Sequence, residues 1–176
     1  MNLRLLVTDK CYYKCPKCAN KHYNLLKLPI CKKEDYSRYE SICLTGGEPL
    51  FNAGRLYRII KDIRESSKAK IYLYTSYTLN ITSLITAITR VDGTTFSLHH
   101  QRDVIPLIKA NAVLQKNYPL IRQRSLRLKI FPEVSIARKI TWMFIYTGWR
   151  VRITQWLDEC PLPENEVFMR HEDAFR

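Results

Sequence analysis

The sequence predicts an α/β fold, an open partial (βα)6 TIM-like barrel with parallel strands. Three observations lead there. Short apolar runs rich in Leu, Ile, Val and Thr alternate with stretches whose apolar residues recur at helical spacing. Each strand-plus-helix unit takes roughly 26 residues and occurs six times, short of the eight units in roughly 250 residues that close a barrel. Finally, 176 residues that are 46% apolar and 26% charged, with only five glycines and eight prolines, suit one sizeable domain. That composition excludes a disordered, collagenous or low-complexity chain.

The elements follow in order. Leu3 to Thr8 reads as the first strand, followed by a cysteine-rich loop and a polar stretch to about Glu40. Ser41 to Thr45 is a second strand that ends in Gly46-Gly47. Asn52 is placed to cap a helix whose Leu56, Ile59, Ile60 and Ile63 fall at i, i+3, i+4 and i+7. Ile71 to Tyr77 is a third strand, and Asn80 caps a helix with Ile81, Leu84, Ile85 and Ile88 on one face. Thr94 to His99 is a fourth strand, and residues 102–116 a helix stopping before Pro119. Leu126 to Phe131 is a fifth strand, residues 134–147 an apolar helix ending at Gly148, and Trp149 to Trp156 a sixth strand. Alternating strands and amphipathic helices imply right-handed parallel crossovers. The expected organisation is one core over residues 1–156. Residues 157–176 form an acidic C-terminal extension, packed on that core or trailing from it.

Twenty-nine Lys and Arg against sixteen Asp and Glu give a formal charge of +13. The excess lies in residues 1–155, while residues 156–176 are net acidic. A field of this sign draws in nucleic acid, a phosphorylated substrate or an acidic protein. Basic residues interleaved with aromatics in a nucleic-acid-binding pattern are missing, so nucleic acid is not favoured. Ile140 to Trp149, a strongly apolar uncharged stretch, is far below the roughly 18–20 residues of a membrane span. MNLRLLVTDKC has neither the apolar core nor the cleavage site of a secretion signal. A cytoplasmic location is therefore expected.

Three of the six cysteines crowd into Cys11-Tyr-Tyr-Lys-Cys15-Pro-Lys-Cys18, directly after the first strand. In a reducing compartment such a group points to metal binding or catalysis rather than disulfides. The loop also falls at the C-terminal edge of the sheet, where α/β proteins place ligands. Structural zinc wants four ligands, and His22 and Cys31 are the nearby candidates for a fourth. A 4Fe–4S cluster held by three cysteines would keep one iron open. Cys43, inside an apolar run, reads as a small buried residue.

Leu44-Thr45-Gly46-Gly47-Glu48-Pro49-Leu50 ends the second strand. Alone, Gly-Gly-Glu-Pro is a tight turn. Together with the C-x3-C-x2-C loop it resembles the signature of the radical S-adenosylmethionine superfamily. The resemblance implies that Cys11, Cys15 and Cys18 hold a 4Fe–4S cluster. It also implies that Gly46, Gly47 and Glu48 hold the methionine end of S-adenosylmethionine. Ser76, in Tyr74-Thr75-Ser76-Tyr77, and Ser97, in Asp92-Gly-Thr-Thr-Phe-Ser97-Leu-His99, stand where relatives approach that cofactor. Ile130 is a candidate apolar contact, and His99 and His100 read as structural. Lys17 occupies the position where most members carry an aromatic residue to cover the adenine, so the adenine contact is unassigned.

By the same resemblance the activity is reductive cleavage of S-adenosylmethionine to a 5′-deoxyadenosyl radical that abstracts hydrogen, fed by a flavodoxin-like or ferredoxin-like donor. Tyr72-Leu-Tyr-Thr-Ser-Tyr77 looks most like the activating enzyme of anaerobic ribonucleotide reductase, a glycyl-radical activase with a protein substrate. The alternative is an enzyme acting on a small molecule, peptide or nucleotide, as in the 7-carboxy-7-deazaguanine synthases of similar size. A zinc or iron–sulfur module that binds nucleic acid without catalysis is the third reading.

Overall fold

The computed structural model describes residues 1–116 and 121–176. Its elements in chain order are β1 (Asn2–Thr8), β2 (Ile30–Cys31), β3 (Ser41–Gly46), α1 (Ala53–Ser66), β4 (Lys70–Thr75) and α2 (Ile81–Arg90). They continue with β5 (Gly93–Leu98), α3 (Val104–Lys116), β6 (Ser125–Ile130), α4 (Arg138–Tyr146), β7 (Trp149–Ile153) and β8 (Glu166–His171). The chain divides into two compact units, Met1–Leu73 with Leu157–Arg176, and Tyr74–Trp156.

The first unit is built on strands in the order β2-β8-β1-β3-β4, every pair parallel. β1 sits between β8 and β3, and Leu3, Leu5, Leu6 and Val7 are all buried, as a strand covered on both faces requires. α1 buries Leu56, Ile59, Ile60 and Ile63, the four residues the periodicity selects. Its cap is Asn52, whose Oδ1 accepts from the Arg55 amide at 3.0 Å.

The second unit carries the parallel ladder β5-β6-β7. α2 is capped as expected, with Asn80 Oδ1 accepting from Ser83 N at 3.0 Å. It buries Leu84, Ala87 and Ile88, leaving Ile81 and Ile85 half-buried. α3 begins after a 3-10 turn at Gln101–Asp103. Asn111 on α3 is buried and accepts from the Trp149 indole at 2.9 Å, which ties the helix to β7.

Several boundaries move for local reasons. The third predicted strand extends to Tyr77, but β4 stops at Thr75, because the Tyr77 amide turns onto Thr75 Oγ1 at 3.0 Å. The helix predicted over 134–147 starts only at Arg138, since the chain leaves β6 in a turn closed by Val134 N to Phe131 O at 3.0 Å. Its end at Gly148, with φ of 89°, is as predicted.

Two strands lie outside the six expected. β2 is only two residues long and falls in the stretch read as polar. β8 lies in the acidic extension, where it pairs in parallel with β1 from Asn2↔Glu166 to Leu6↔Arg170. Of its six residues only Phe168 is buried, so it has no apolar alternation to reveal it. Its acidic Glu166 pairs with Arg4 of β1 at 2.5 Å.

Candidate functional site

Parallel pairing of β1 with β3 brings both sequence motifs to the same ends of adjacent strands, with Thr8 opposite Gly46. The backbone then locks them together. Gly47 N donates to Thr8 O at 2.7 Å, and Glu48 N donates to Lys10 O at 2.8 Å. A Cβ on Gly46 would lie 2.2 Å from Thr8 O, and one on Gly47 would lie 2.1 Å from Lys10 O. Gly46 also has φ of 140°, which side chains rarely adopt. Both glycines are therefore required by the approach of the β3 end to the start of the cysteine loop. A further tie was invisible in the sequence: Tyr12 of the loop stacks on Phe51, with centroids 4.5 Å apart and planes 25° apart.

Glu48 is buried, with 2% exposure. Its Oε1 accepts from Leu50 N at 3.1 Å and so caps the 3-10 turn Pro49–Asn52. The carboxylate thus has a structural duty that the sequence reading did not foresee. It also sits close enough to Cys11 to help raise that thiol's pKa.

Cys11 is exposed, and Cys15 and Cys18 are half-buried. The Tyr13 amide donates to Cys11 Sγ at 3.4 Å. Burial raises the Cys11 thiol above its ordinary value, with Glu48 and Cys18 adding to the rise. Burial also pushes Cys15 up to about 11, and here Cys18 and Cys11 contribute next. The three sulfurs therefore feel one another. Negative charge on any of them is disfavoured by the others, and a bound cation offsets that cost. No group of three or more His, Cys, Asp or Glu among the described residues is closed into a metal-holding sphere. The thiols share one loop at the glycine cradle, and that donor set with its close backbone approach fits a three-thiolate cluster.

The candidate fourth ligands lie elsewhere. Cys31 is 1% exposed on β2, and burial, then Asp35, push its thiol up to about 12. Its charged neighbours are Asp35 and Arg38, not the loop cysteines. His22 is exposed at the end of the 3-10 turn Ala19–His22. Cys43, expected to be buried, is half-buried, because it alternates with the buried Ile42 and Leu44 and points to the other face of β3. Cys160 offers its carbonyl to the Tyr23 hydroxyl.

The C-terminal segment reaches the same loop. Lys17, where an aromatic residue would cover adenine, pairs with Asp158. Asp9 N donates to Ala174 O at 3.3 Å, and the Arg55 guanidinium donates to the carbonyls of Asp173 and Arg176 at 2.9 and 2.6 Å. Sequence patterning missed the contacts to Ala174, Asp173 and Arg176 because backbone carbonyls accept them whatever the side chain.

Ser76 and Ser97 belong to the second unit. Ser76 is buried just past β4, with Oγ 3.3 Å from His99 Nδ1. Ser97 is half-buried on β5, opposite Lys129 of β6. The His99 ring packs on Phe131 and Trp156, with centroids at 4.4 and 4.9 Å. Burial, helped by His100 and Lys129, lowers its pKa to about 4, so the imidazole is neutral at pH 7. Ile130 is buried in β6.

The C-x3-C-x2-C loop is locked by backbone hydrogen bonds to the Gly-Gly-Glu-Pro turn at the ends of adjacent parallel strands, the setting of an iron–sulfur protein. The chain belongs to the 4Fe-4S single cluster domain family, whose model matches residues 3–109 and so takes in both motifs. A solved structure of hexahistidine-tagged anSMEcpe with bound AdoMet is similar in fold, with a TM-score of 0.52 and 16% identity over 95% of this chain. This chain spans about half of that one, 55% of its length. No curated protein matches the chain. No helix among the described residues is long and apolar enough to cross a membrane.

Proposed function

We propose that this protein is a radical S-adenosylmethionine enzyme that abstracts hydrogen from its substrate. Cys11, Cys15 and Cys18 would ligate three irons of one 4Fe–4S cluster, and Gly46, Gly47 and Glu48 would receive the methionine end of S-adenosylmethionine. When bound, the two cofactors supply reductive carbon–sulfur cleavage and a 5′-deoxyadenosyl radical. The observation that carries the reading is the backbone lock between Gly47 and Thr8 and between Glu48 and Lys10. It holds the glycine turn against the cysteine loop, which supports a ligand on the loop meeting the turn.

The protein's own residues would act as follows. The glycines, lacking side chains, let the β3 end lie against the start of the cysteine loop, which would keep the turn beside a ligand held there. Glu48 is buried beside Cys11, and an ammonium group nearby would offset their mutual repulsion through a charge-assisted hydrogen bond. Ser76 and Ser97 would offer hydroxyls to the rest of the cofactor. A flavodoxin-like or ferredoxin-like donor would supply the electron, and an acidic one suits a chain of net charge +13.

For the substrate, Tyr72 to Tyr77 supports a glycyl-radical activase of the anaerobic ribonucleotide reductase type. A small-molecule or nucleotide substrate is supported by the basic sheet face described below. Anaerobic reconstitution with iron and sulfide, followed by dithionite and S-adenosylmethionine, tests the activity. The expected product is 5′-deoxyadenosine in the intact protein and none in Cys15→Ala. A colourless, zinc-binding product with no 5′-deoxyadenosine would overturn the proposal.

A further inference from the structure

β6 and β7 pair in the register Arg127↔Arg150 and Lys129↔Arg152. Side chains alternate along each strand, so these four cations share one face, and Leu126, Leu128 and Ile130 lie buried on the other. Arg127, Arg150 and Arg152 are exposed, and Lys129 is half-buried. Adjacent strands stand about 4.8 Å apart and alternate residues about 6.6 Å apart, so the quartet rises from a patch of about 5 by 7 Å. Like charges directly opposite one another weaken a sheet. Opposed cations therefore carry a charge cost across this pair of strands. Charge that keeps an edge strand from pairing with another chain would explain β7, which ends the strand order, but not Arg127 and Lys129 on the strand inside it.

The unit around the quartet is itself strongly basic. Residues 74–156 hold twelve Lys and Arg against three Asp and Glu. Asp92 pairs with Arg124, Asp103 is buried against Thr78, and Glu133 accepts from the Trp156 indole at 2.6 Å. The neighbouring positions on β5, Thr95 and Ser97, add hydroxyl-bearing residues in register with Arg127 and Lys129. The Lys129 ammonium lies 5.6 Å from the Tyr74 ring centroid. Past the strand ends the alternation reaches His99 and Phe131, where Phe131 N to Leu98 O at 3.1 Å continues the ladder. There the His99, Phe131 and Trp156 rings pack together.

We propose that Arg127, Lys129, Arg150 and Arg152 form the phosphate bed of a site for a nucleoside triphosphate, with the His99–Phe131–Trp156 cluster lying against its base. A compact quartet matches phosphates crowded on one chain. A nucleic-acid backbone spreads its charges and calls for a longer stripe. This names the substrate class of the proposed enzyme, and only the fate of the bound nucleotide rests on that reading.

The test is displacement of trinitrophenyl-ATP from anaerobically reconstituted protein, followed by fluorescence anisotropy. ATP should compete, inorganic tripolyphosphate should retain most of the effect, and adenosine should have little. Arg150→Gln with Arg152→Gln should weaken binding at least about tenfold, the scale of one lost charge-assisted contact. Lys61→Gln with Lys68→Gln, two exposed lysines elsewhere, should change it less than about twofold. Removing repulsion, Arg152→Gln should melt no lower than the parent. Equal loss in the lysine control, a short single-stranded DNA that outcompetes ATP, or a lower melting temperature for Arg152→Gln would each overturn the proposal. Binding is read without turnover. ATP binding without 5′-deoxyadenosine formation therefore counts against the enzyme reading alone, and cleavage without ATP binding counts against the phosphate bed alone.

Discussion

Replacing Gly47 by alanine puts the lock between the two motifs under direct strain. The new Cβ would lie 2.1 Å from Lys10 O, 2.5 Å from Lys10 C and 2.7 Å from Asp9 O, all backbone atoms that have no rotamer to escape into. Relief requires the β3 end to part from the cysteine loop, which gives up Gly47 N to Thr8 O and Glu48 N to Lys10 O, now 2.7 and 2.8 Å long. Each of the two lost bonds costs about 0.5–1.5 kcal/mol net, and overpacking costs about 1–3 kcal/mol, so the sum is about 2–6 kcal/mol. That is a large fraction of the roughly 5–15 kcal/mol by which native proteins are stable. Gly54→Ala is the internal control, because its Cβ would meet only Asn52 Oδ1 at 3.6 Å in α1. It should be stabilising by up to about 1 kcal/mol. The assay is urea unfolding of both variants, with iron and sulfide analysis after reconstitution. Gly47→Ala should unfold at much lower urea and reconstitute poorly. A Gly47→Ala variant as stable and as iron-rich as Gly54→Ala would refute the reasoning.

Three further outcomes follow from the site. Alanine at Cys11, Cys15 or Cys18 should abolish the cluster by iron and sulfide analysis, whereas alanine at Cys31, Cys43 or Cys160 should leave it; an iron-poor Cys31 variant would show a fourth thiolate. Glu48→Ala should weaken cofactor binding by about 10- to 100-fold in anaerobic calorimetry and also lower stability by about 1 kcal/mol through the lost turn cap. Glu48→Gln keeps a cap acceptor, so it should separate the two effects, and cofactor affinity unchanged in both variants would leave Glu48 as a cap only. His99 has its pKa lowered from 6.5 to about 4 in the folded state. Folding then excludes a proton that the unfolded chain binds, so stability is full above about pH 6.5 and falls as pH drops toward 4, by up to about 3 kcal/mol. His171, also lowered by burial, acts in the same direction. Urea midpoints from pH 7.5 to 4.5 should show the loss, with a shallower slope in His99→Gln; identical slopes would remove His99 as the cause.

The sequence by itself determined the parts whose signal is local. Helix caps at Asn52 and Asn80 and the apolar spacing of α1 depend on residues within a few positions, and the structure has them as read. The crowding of Cys11, Cys15 and Cys18 and the Gly-Gly-Glu-Pro turn were legible for the same reason. Tertiary structure decided what depends on distant partners. β8 carries one buried side chain among six, and exists because β1 offers it a free edge and Arg4 offers Glu166 a partner. Cys31 and Cys43 look alike in sequence, yet one is sealed on β2 and the other alternates to the less covered face of β3. The burial of Glu48 under its own turn, and the glycine Cβ positions that would strike Lys10 and Thr8, arise only once β1 and β3 lie side by side. The opposed cations of β6 and β7 were individually visible as basic residues. Their register, and with it their concentration on one face, was set by parallel pairing across a helical crossover, which no local pattern encodes.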